Sequence, residues 1–287
     1  MNVVTLSREE RLMLSPQRGD THPATIYPYR SNNHRTSHRR ANCTARTNPK
    51  ALGSSSSTIR TCAVLVELFT SEACSSCPPA DALLRQIDGK RTDSGHLIVG
   101  VSEHVTYWNQ LGWSDPFSAP SYTERQNAYG ERFHLDSVYT PQMVINGEEQ
   151  IVGSDSASLL HAIPKDEQRP QLSIHIVSAS ISDNSLTVDF SLSGSAPGRG
   201  ADIFAILADD TTSSNVLRGE NSDRTLSHVS VARTITRVAT VQTSTERTVH
   251  IPLSTSVQVP PSQGRHLILF AQAAGLGRVL GVDTKPL

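Results

Sequence analysis

The chain has 287 residues, 37% of them hydrophobic and 5% aromatic, and a formal net charge of -1. That length accommodates two ordinary domains of about 100–150 residues, and no apolar stretch reaches the roughly 18 residues a membrane-spanning helix needs. The near-zero charge gives no global field to draw in nucleic acid or an anionic lipid surface, and four cysteines, Cys43, Cys62, Cys74 and Cys77, are too few to build a disulfide scaffold of this size.

Residues 1–60 are dominated by Ser, Thr, Asn, Arg and His, with no acidic residue between Asp20 and Glu67. Arg30, Arg35, Arg39, Arg40, Arg46, Lys50 and Arg60 form a diffuse basic string, and Ser54 to Ser57 a short low-complexity linker. This composition reads as a disordered arm. No apolar core of about 7–15 residues follows the first basic residues, so no signal peptide is visible. Cys43 and Cys62 read as chemically secondary.

Residues 62–165 mix strand and helix patterns. The run Ala63-Val64-Leu65-Val66-Glu67-Leu68-Phe69 predicts a buried strand. Cys74-Ser75-Ser76-Cys77 follows, and then Pro78 opens a helix over 78–87 with Ala80, Leu83, Leu84 and Ile87 at helical spacing. Unpaired N–H groups at a helix start favour an anion and lower a thiol pKa. A two-residue spacer lets one sulfur reach the other, so a mixed disulfide can be resolved within the chain. Cys74, read as nearer the helix start, is assigned the attacking thiol and Cys77 the resolving one. Two cysteines at this spacing also make half a structural zinc site, but no second paired cluster appears. An inert disulfide is the third reading.

A second strand is predicted over 96–101, a helix over 119–133, a hairpin of 142–145 and 150–152 around Asn146-Gly147, and a closing helix through Leu159, Leu160 and Ile163. The order βα, βα, ββα is that of a thioredoxin-like sheet. The segment from Ser102-Glu103-His104 through Tyr107-Trp108 to Trp113 follows the second strand and so emerges at the sheet edge that carries the dithiol. There His104 is a candidate proton acceptor for a thiol, Glu103 a group that tunes it, and Tyr107, Trp108 and Trp113 an apolar wall. The plainer reading makes both tryptophans core anchors. Asp115-Pro116 reads as a turn. Thr140-Pro141 precedes the hairpin, where a cis proline would face the dithiol and the Thr140 backbone would present an edge to an extended substrate. The plainer reading is a proline that merely starts a strand.

Residues 164–170 resemble a hinge between two prolines, and beyond it the periodicity changes. Leu172, Ile174 and Ile176, then Leu186, Val188, Phe190 and Leu192, alternate apolar with polar. Strand-like runs follow at 203–207, 226–231, 238–241, 248–253 and 267–271. Repeated short strands without helices predict an all-β, sandwich-like domain over 171–287. No nucleophile constellation appears in it, and it reads as a packing or partner-recognition module.

Val66 to Asp81, Ser102 to Trp113, Tyr139 to Gly147, and Gly219-Glu220-Asn221 with Arg224 to Val229 together resemble the bacterial thioredoxin-like family catalogued as domain of unknown function 1223. The resemblance implies an α/β thioredoxin-like domain, a β-rich second domain and an extracytoplasmic, periplasmic or secreted, protein. It carries the family's dithiol onto Cys74 and Cys77, its proline loop onto Thr140 and Pro141, and its histidine–aromatic segment onto His104, Tyr107 and Trp108. Where relatives often place Asp, this chain has Thr106 and Asn109, which weakens a carboxylate proton relay at those positions. The function expected is thiol–disulfide exchange with a protein or small-molecule disulfide or dithiol, without cofactor, resident metal, nucleic acid or membrane span. The alternatives are a copper-handling module using Cys74, Cys77 and His104, and a non-catalytic binding protein with a structural disulfide.

Overall fold

A computed structural model describes residues 63–92, 95–163, 172–182, 184–254, 257 and 263–287. The expected disordered arm with Cys43 and Cys62, and the expected hinge at 164–170, lie outside the described residues.

The first strand, β1 (Ala63–Thr70), leads through the cysteine turn into α1 (Pro78–Ile87), and β2 (Leu97–His104) into α2 (Pro120–Arg132). Next come β3 (Gln142–Ile145), β4 (Glu149–Val152) and α3 (Ser156–Ala162). The remainder is strand: β5 (Leu172–Ser182), β6 (Ser185–Ser195), β7 (Ala201–Val216), β8 (Arg224–Val241), β9 (Thr243–Pro252), β10 (Arg265–Ala273) and β11 (Val279–Pro286). The β3–β4 turn is the predicted Asn146-Gly147, both at positive φ, +48° and +66°, as a hairpin turn with matching twist requires.

These elements do not assemble into a thioredoxin-like α/β domain followed by a separate β sandwich. Strand occupies 52% of the structure and helix 15%, and the strands of both halves share one eight-stranded mixed sheet, ordered β11-β10-β7-β8-β2-β1-β3-β4. Among the described residues β5, β6 and β9 form a separate three-stranded sheet. The expectation fails at β7 and β8. Each has a short apolar centre that reads as an ordinary strand, yet each continues through Ser- and Thr-rich sequence to 16 and 18 residues. Thr is β-branched and suits a half-solvated strand as well as it suits a loop. The contact with β2 is made by the apolar centre of β8 itself, where Ser102 pairs with Val231 in parallel, while the extension prolongs the β7–β8 pairing. β11 has no counterpart among the predicted strands.

Three large apolar clusters cover the sheet, beside a smaller one of Phe69, Val105, Tyr129 and Val144. Ala80 and Leu84 of α1 and Leu159 and Ala162 of α3 pack on Val64, Val66, Leu68, Met143 and Ile145, joined by Val229 of β8. On the other face Leu65, Val99 and Val101 meet Tyr122 of α2 and Ile206, Ile268 and Phe270 of the later strands. The three-stranded sheet stacks its alternating residues Ile174, Ile176, Val188 and Phe190 on Ile203, Leu207, Leu267 and Leu269. Two of the three large clusters therefore draw on both halves of the chain.

The second face also buries an ionic cluster. Arg125 of α2 donates through Nε to Glu67 Oε1 at 2.5 Å, and Tyr129 donates to Glu67 Oε2 at 2.7 Å. The guanidinium lies over the rings of Phe204 and Phe270 at 5.1 and 5.4 Å. Glu103 sits 3.9 Å from the same Nε. Burial, reinforced by the neighbouring Glu67 carboxylate and only partly countered by Arg125, holds its carboxyl well above the usual carboxylate range.

Candidate functional site

β1 ends at Thr70, and the chain turns twice before α1: Cys74 N donates to Ser71 O at 3.2 Å, and Cys77 N to Cys74 O at 3.2 Å. Cys77 is the N-cap of α1, its carbonyl accepting from Ala80 N and Asp81 N at 2.9 and 3.1 Å. Pro78, which has no N–H to leave unpaired, occupies the first helical position. Thus Cys77, rather than Cys74, is the cysteine at the helix start, one turn after its partner. The two are joined in a disulfide with their Cα atoms 5.4 Å apart. Both residues are 0% exposed, while Ser75 and Ser76 between them face solvent. The sulfurs are sealed from solvent.

The proline loop lies against this turn. The Thr140–Pro141 bond is cis. Thr140 Oγ1 donates to Cys74 Sγ at 3.4 Å and accepts from Trp108 Nε1 at 2.8 Å. The Ser76 hydroxyl is 3.4 Å from Cys74 Sγ and 3.5 Å from Thr140 O. The structure thus brings together Cys74, Cys77, Thr140, Pro141 and Trp108. Tyr107 is 38% exposed and donates to Gln126 Oε1 at 3.2 Å. Trp113 lies further round and donates from Nε1 to Glu72 Oε2 at 2.8 Å.

His104 is buried away from the sulfurs and hydrogen-bonds to neither. Its Nδ1 meets Asp115 Oδ2 at 2.7 Å, and its ring packs edge-on against Phe117 and His228. Its Nε2 has no hydrogen-bond partner among the described residues. The carboxylate expected to be missing near Thr106 and Asn109 is supplied by Asp115, read from sequence only as a turn residue. Burial pushes the Asp115 carboxyl up, but His104 and the N–H groups of Glu72 and Phe117 bring it below its ordinary value. Glu103, next to His104 in sequence, faces the opposite side of the sheet because neighbouring strand residues alternate.

Sequence reasoning missed a second group of residues, all reached through β7, β8 and the turn between them. Glu72 is fully buried. Its Oε1 accepts from Ser214 Oγ and lies 3.3 Å from His228 Nε2. His228 Nδ1 is 3.5 Å from Asp81 Oδ1, which also accepts from Thr70 Oγ1 at 3.1 Å. Burial raises the Glu72 carboxyl, but hydrogen bonds from His228, Ser214 and Trp113 hold it below its usual value. Burial alone would lower His228; Asp81 and Glu72 instead raise it to about 9, so it is an imidazolium at neutral pH. Asn221 Nδ2 donates to the carbonyls of Glu72 and Cys74, both at 2.9 Å, and Glu220 Oε2 accepts from Ser75 N at 3.0 Å. The signal for Glu220, Asn221 and His228 was the second-half block Gly219-Glu220-Asn221 with Arg224 to Val229, and that for Glu72 and Asp81 the block Val66 to Asp81; Ser214 lies in neither.

The copper set does not assemble. Both sulfurs are consumed in the disulfide, and among the described residues no group of three or more His, Cys, Asp or Glu is placed to hold a metal ion. No helix among those residues is long and apolar enough to cross a membrane.

Fold and site together define a mixed-sheet protein with a Cys-x-x-Cys disulfide closed at a helix start. Residues 65–272 match the family described as "Protein of unknown function (DUF1223)", and the chain belongs to that family. No curated protein matches it. Among solved structures it is similar to the crystal structure of Protein AGR_C_4864 from Agrobacterium tumefaciens, at 26% identity and a TM-score of 0.58 over 78% of this chain and 94% of that one. It also shares the fold of HBP35 of Porphyromonas gingivalis, at 14% identity and a TM-score of 0.58 over 79% of this chain and 76% of that one.

Proposed function

We propose that Cys74 and Cys77 are a redox pair that exchanges a disulfide with a protein or small-molecule partner. In the reduced protein the Cys74 thiolate attacks a substrate disulfide, forms a mixed disulfide and releases one substrate thiolate, which takes up a proton. The Cys77 thiolate then attacks the Cys74 sulfur, expels the second substrate thiolate and closes the disulfide. Two electrons pass from the pair to the substrate. The reverse direction starts from attack of a substrate thiolate on Cys74 and expels Cys77 into the positive end of α1.

One observation carries this reading: Thr140 Oγ1 donates to Cys74 Sγ. With the Ser76 hydroxyl also in reach, a thiolate on Cys74 would have two donors, which lowers its pKa. An oxidising, extracytoplasmic compartment would suit a disulfide closed at rest. The complete burial of both cysteines favours a second reading, a binding protein whose disulfide only staples the turn. Turnover of insulin or glutathione disulfide by the full chain separates the two. The redox reading expects turnover that Cys74→Ser abolishes, and a trapped mixed disulfide with Cys77→Ser. Absence of turnover, with neither thiol titrating below free cysteine at about 8.5, sinks it and leaves the staple.

A further inference from the structure

The sulfurs are sealed, yet apart from their own disulfide only non-covalent contacts hold the turn that carries them. Residues 72–75 are gripped from a distant part of the chain. Ser214 at the end of β7 and His228 in β8 hold the Glu72 side chain. Between them, the turn joining β7 to β8 holds the backbone, with Asn221 on the carbonyls of Glu72 and Cys74 and Glu220 on the N–H of Ser75.

The two ends of this grip differ in character. Ser214, His228 and Glu72 pack at its base, where Glu72 and His228 are buried. The tip is held almost wholly by polar contacts. Asn221 is 0% exposed, but Leu217 at the start of the tip is 71% exposed and packs into no core cluster. Against the loop that carries Trp113 the tip makes a glycine-on-glycine approach. A Cβ built on Gly112 would stand 3.5 Å from the Cα of Gly219, and both have positive φ, +102° and +83°. On the other side a Cβ built on Gly219 would stand 3.3 Å from Trp113 Cβ and 3.5 Å from Leu111 O, so the tip meets this loop closely through backbone and contributes no side chain of its own there. A segment held by a few hydrogen bonds over exposed backbone opens at far lower free energy than the whole fold.

We propose that the β7–β8 tip is a clamp on the dithiol turn, with Asn221 and Glu220 as positioning residues that act through the backbone of Glu72, Cys74 and Ser75, so that the disulfide reacts only when the tip lifts. This deepens the redox reading, in which a substrate must reach Cys74, and rests on it for its biological purpose. The clamp itself is a physical claim about access. A partner thiolate attacking along the S–S axis must displace the cover over Cys74, and freeing its carbonyl from Asn221 is the step that lets the turn move.

The test uses the full oxidised chain and tris(2-carboxyethyl)phosphine as probe, with the reduction rate of the Cys74–Cys77 bond followed at pH 7. Asn221→Ala removes both hydrogen bonds to the turn, together with the one Asn221 Oδ1 accepts from Arg224 Nη1, and is expected to speed reduction by about tenfold. Glu220→Ala, at an exposed position, removes one and should speed it by about threefold. Urea midpoints of both variants are measured alongside. As a gate, the clamp should accelerate reduction and reoxidation together and leave the thiol-to-disulfide ratio in a glutathione buffer within about twofold of the parent, whereas a purely structural loss would shift that ratio. Parent-like rates in both variants, or acceleration that only follows lost urea stability, would overturn the clamp. Insulin turnover plays no part in this readout, so the clamp can stand where the redox reading fails, and the reverse.

Discussion

Thr140 connects the Trp108 indole to the sulfur, accepting from Trp108 Nε1 and donating to Cys74 Sγ. Thr140→Val preserves shape and removes both bonds. The reduced variant should show a raised Cys74 thiol pKa in the pH profile of iodoacetamide alkylation, and the orphaned indole N–H should cost about 1–3 kcal/mol in urea unfolding. Thr140→Ser, which keeps the hydroxyl, should restore both. The role of Thr140 was readable in part, since a Thr-Pro pair before a strand points to this loop, although the prediction concerned its backbone rather than its hydroxyl. Glu103 was misassigned because it was considered as a neighbour of His104, when strand alternation sends it to Glu67 and Arg125. Its folded pKa lies above the ordinary 4.5, so as pH rises past that value the unfolded chain loses the proton first and the native state is progressively penalised. Glu103→Gln should therefore unfold at a higher urea midpoint than the parent at pH 8 and show no such gain at pH 4. Arg125→Met, which strips Glu67 of its buried partner, should instead cost about 3–5 kcal/mol.

Among the elements, β8 links the cysteine turn to the rest of the sheet, and its His228 makes that link dependent on pH. The folded value of about 9 lies above the ordinary 6.5. The stabilisation from imidazolium between Glu72 and Asp81 is accordingly complete below about 6.5 and is lost as pH climbs through about 9. Glu72, held below its ordinary value, acts in the opposite direction, its contribution being present above the usual carboxylate range and lost on acidification. The urea midpoint of the parent should fall between pH 6.5 and 9.5. In His228→Gln that fall should be largely absent, and at pH 6.5 the variant should already be less stable by about 3–5 kcal/mol, because two buried carboxylates have lost their common cation. An unchanged slope in the variant would mean that another group titrates there. The apolar core of β8, residues 226–231, was readable as a strand. What the apolar pattern could not show is that polar Thr and Ser continue the pairing, nor that a histidine within the strand faces two acids some 150 residues earlier, close to the separation of 156 from Glu72.

For the molecule as a whole, the helices and most strands could be placed from periodicity, but their partition into two assemblies could not. Periodicity reports which face of a strand is buried, while the choice of neighbour along the sheet depends on which edges remain open. β2 had an open edge in the expected four-stranded arrangement, and β8 occupies it. The same reasoning predicts how a fragment behaves. A chain of residues 62–165 would expose the β2 edge that β8 covers. It would also strip Leu65, Val99 and Val101 of Ile206, Ile268 and Phe270, and leave Glu72 and Asp81 without His228. Each loss is at least of the size of a typical single-residue destabilisation, about 0.5–3 kcal/mol, and together they approach the roughly 5–15 kcal/mol by which a domain is stable at all. The fragment is expected to show a broad, non-cooperative urea transition, weak near-UV dichroism and dye binding to exposed apolar surface. Adding the separately produced segment 171–287 should sharpen the transition, since it returns the strand, the apolar face and the cation at once. A fragment that unfolds cooperatively by itself would show that the edge of β2 tolerates water and that the shared sheet is an extension of a self-sufficient unit.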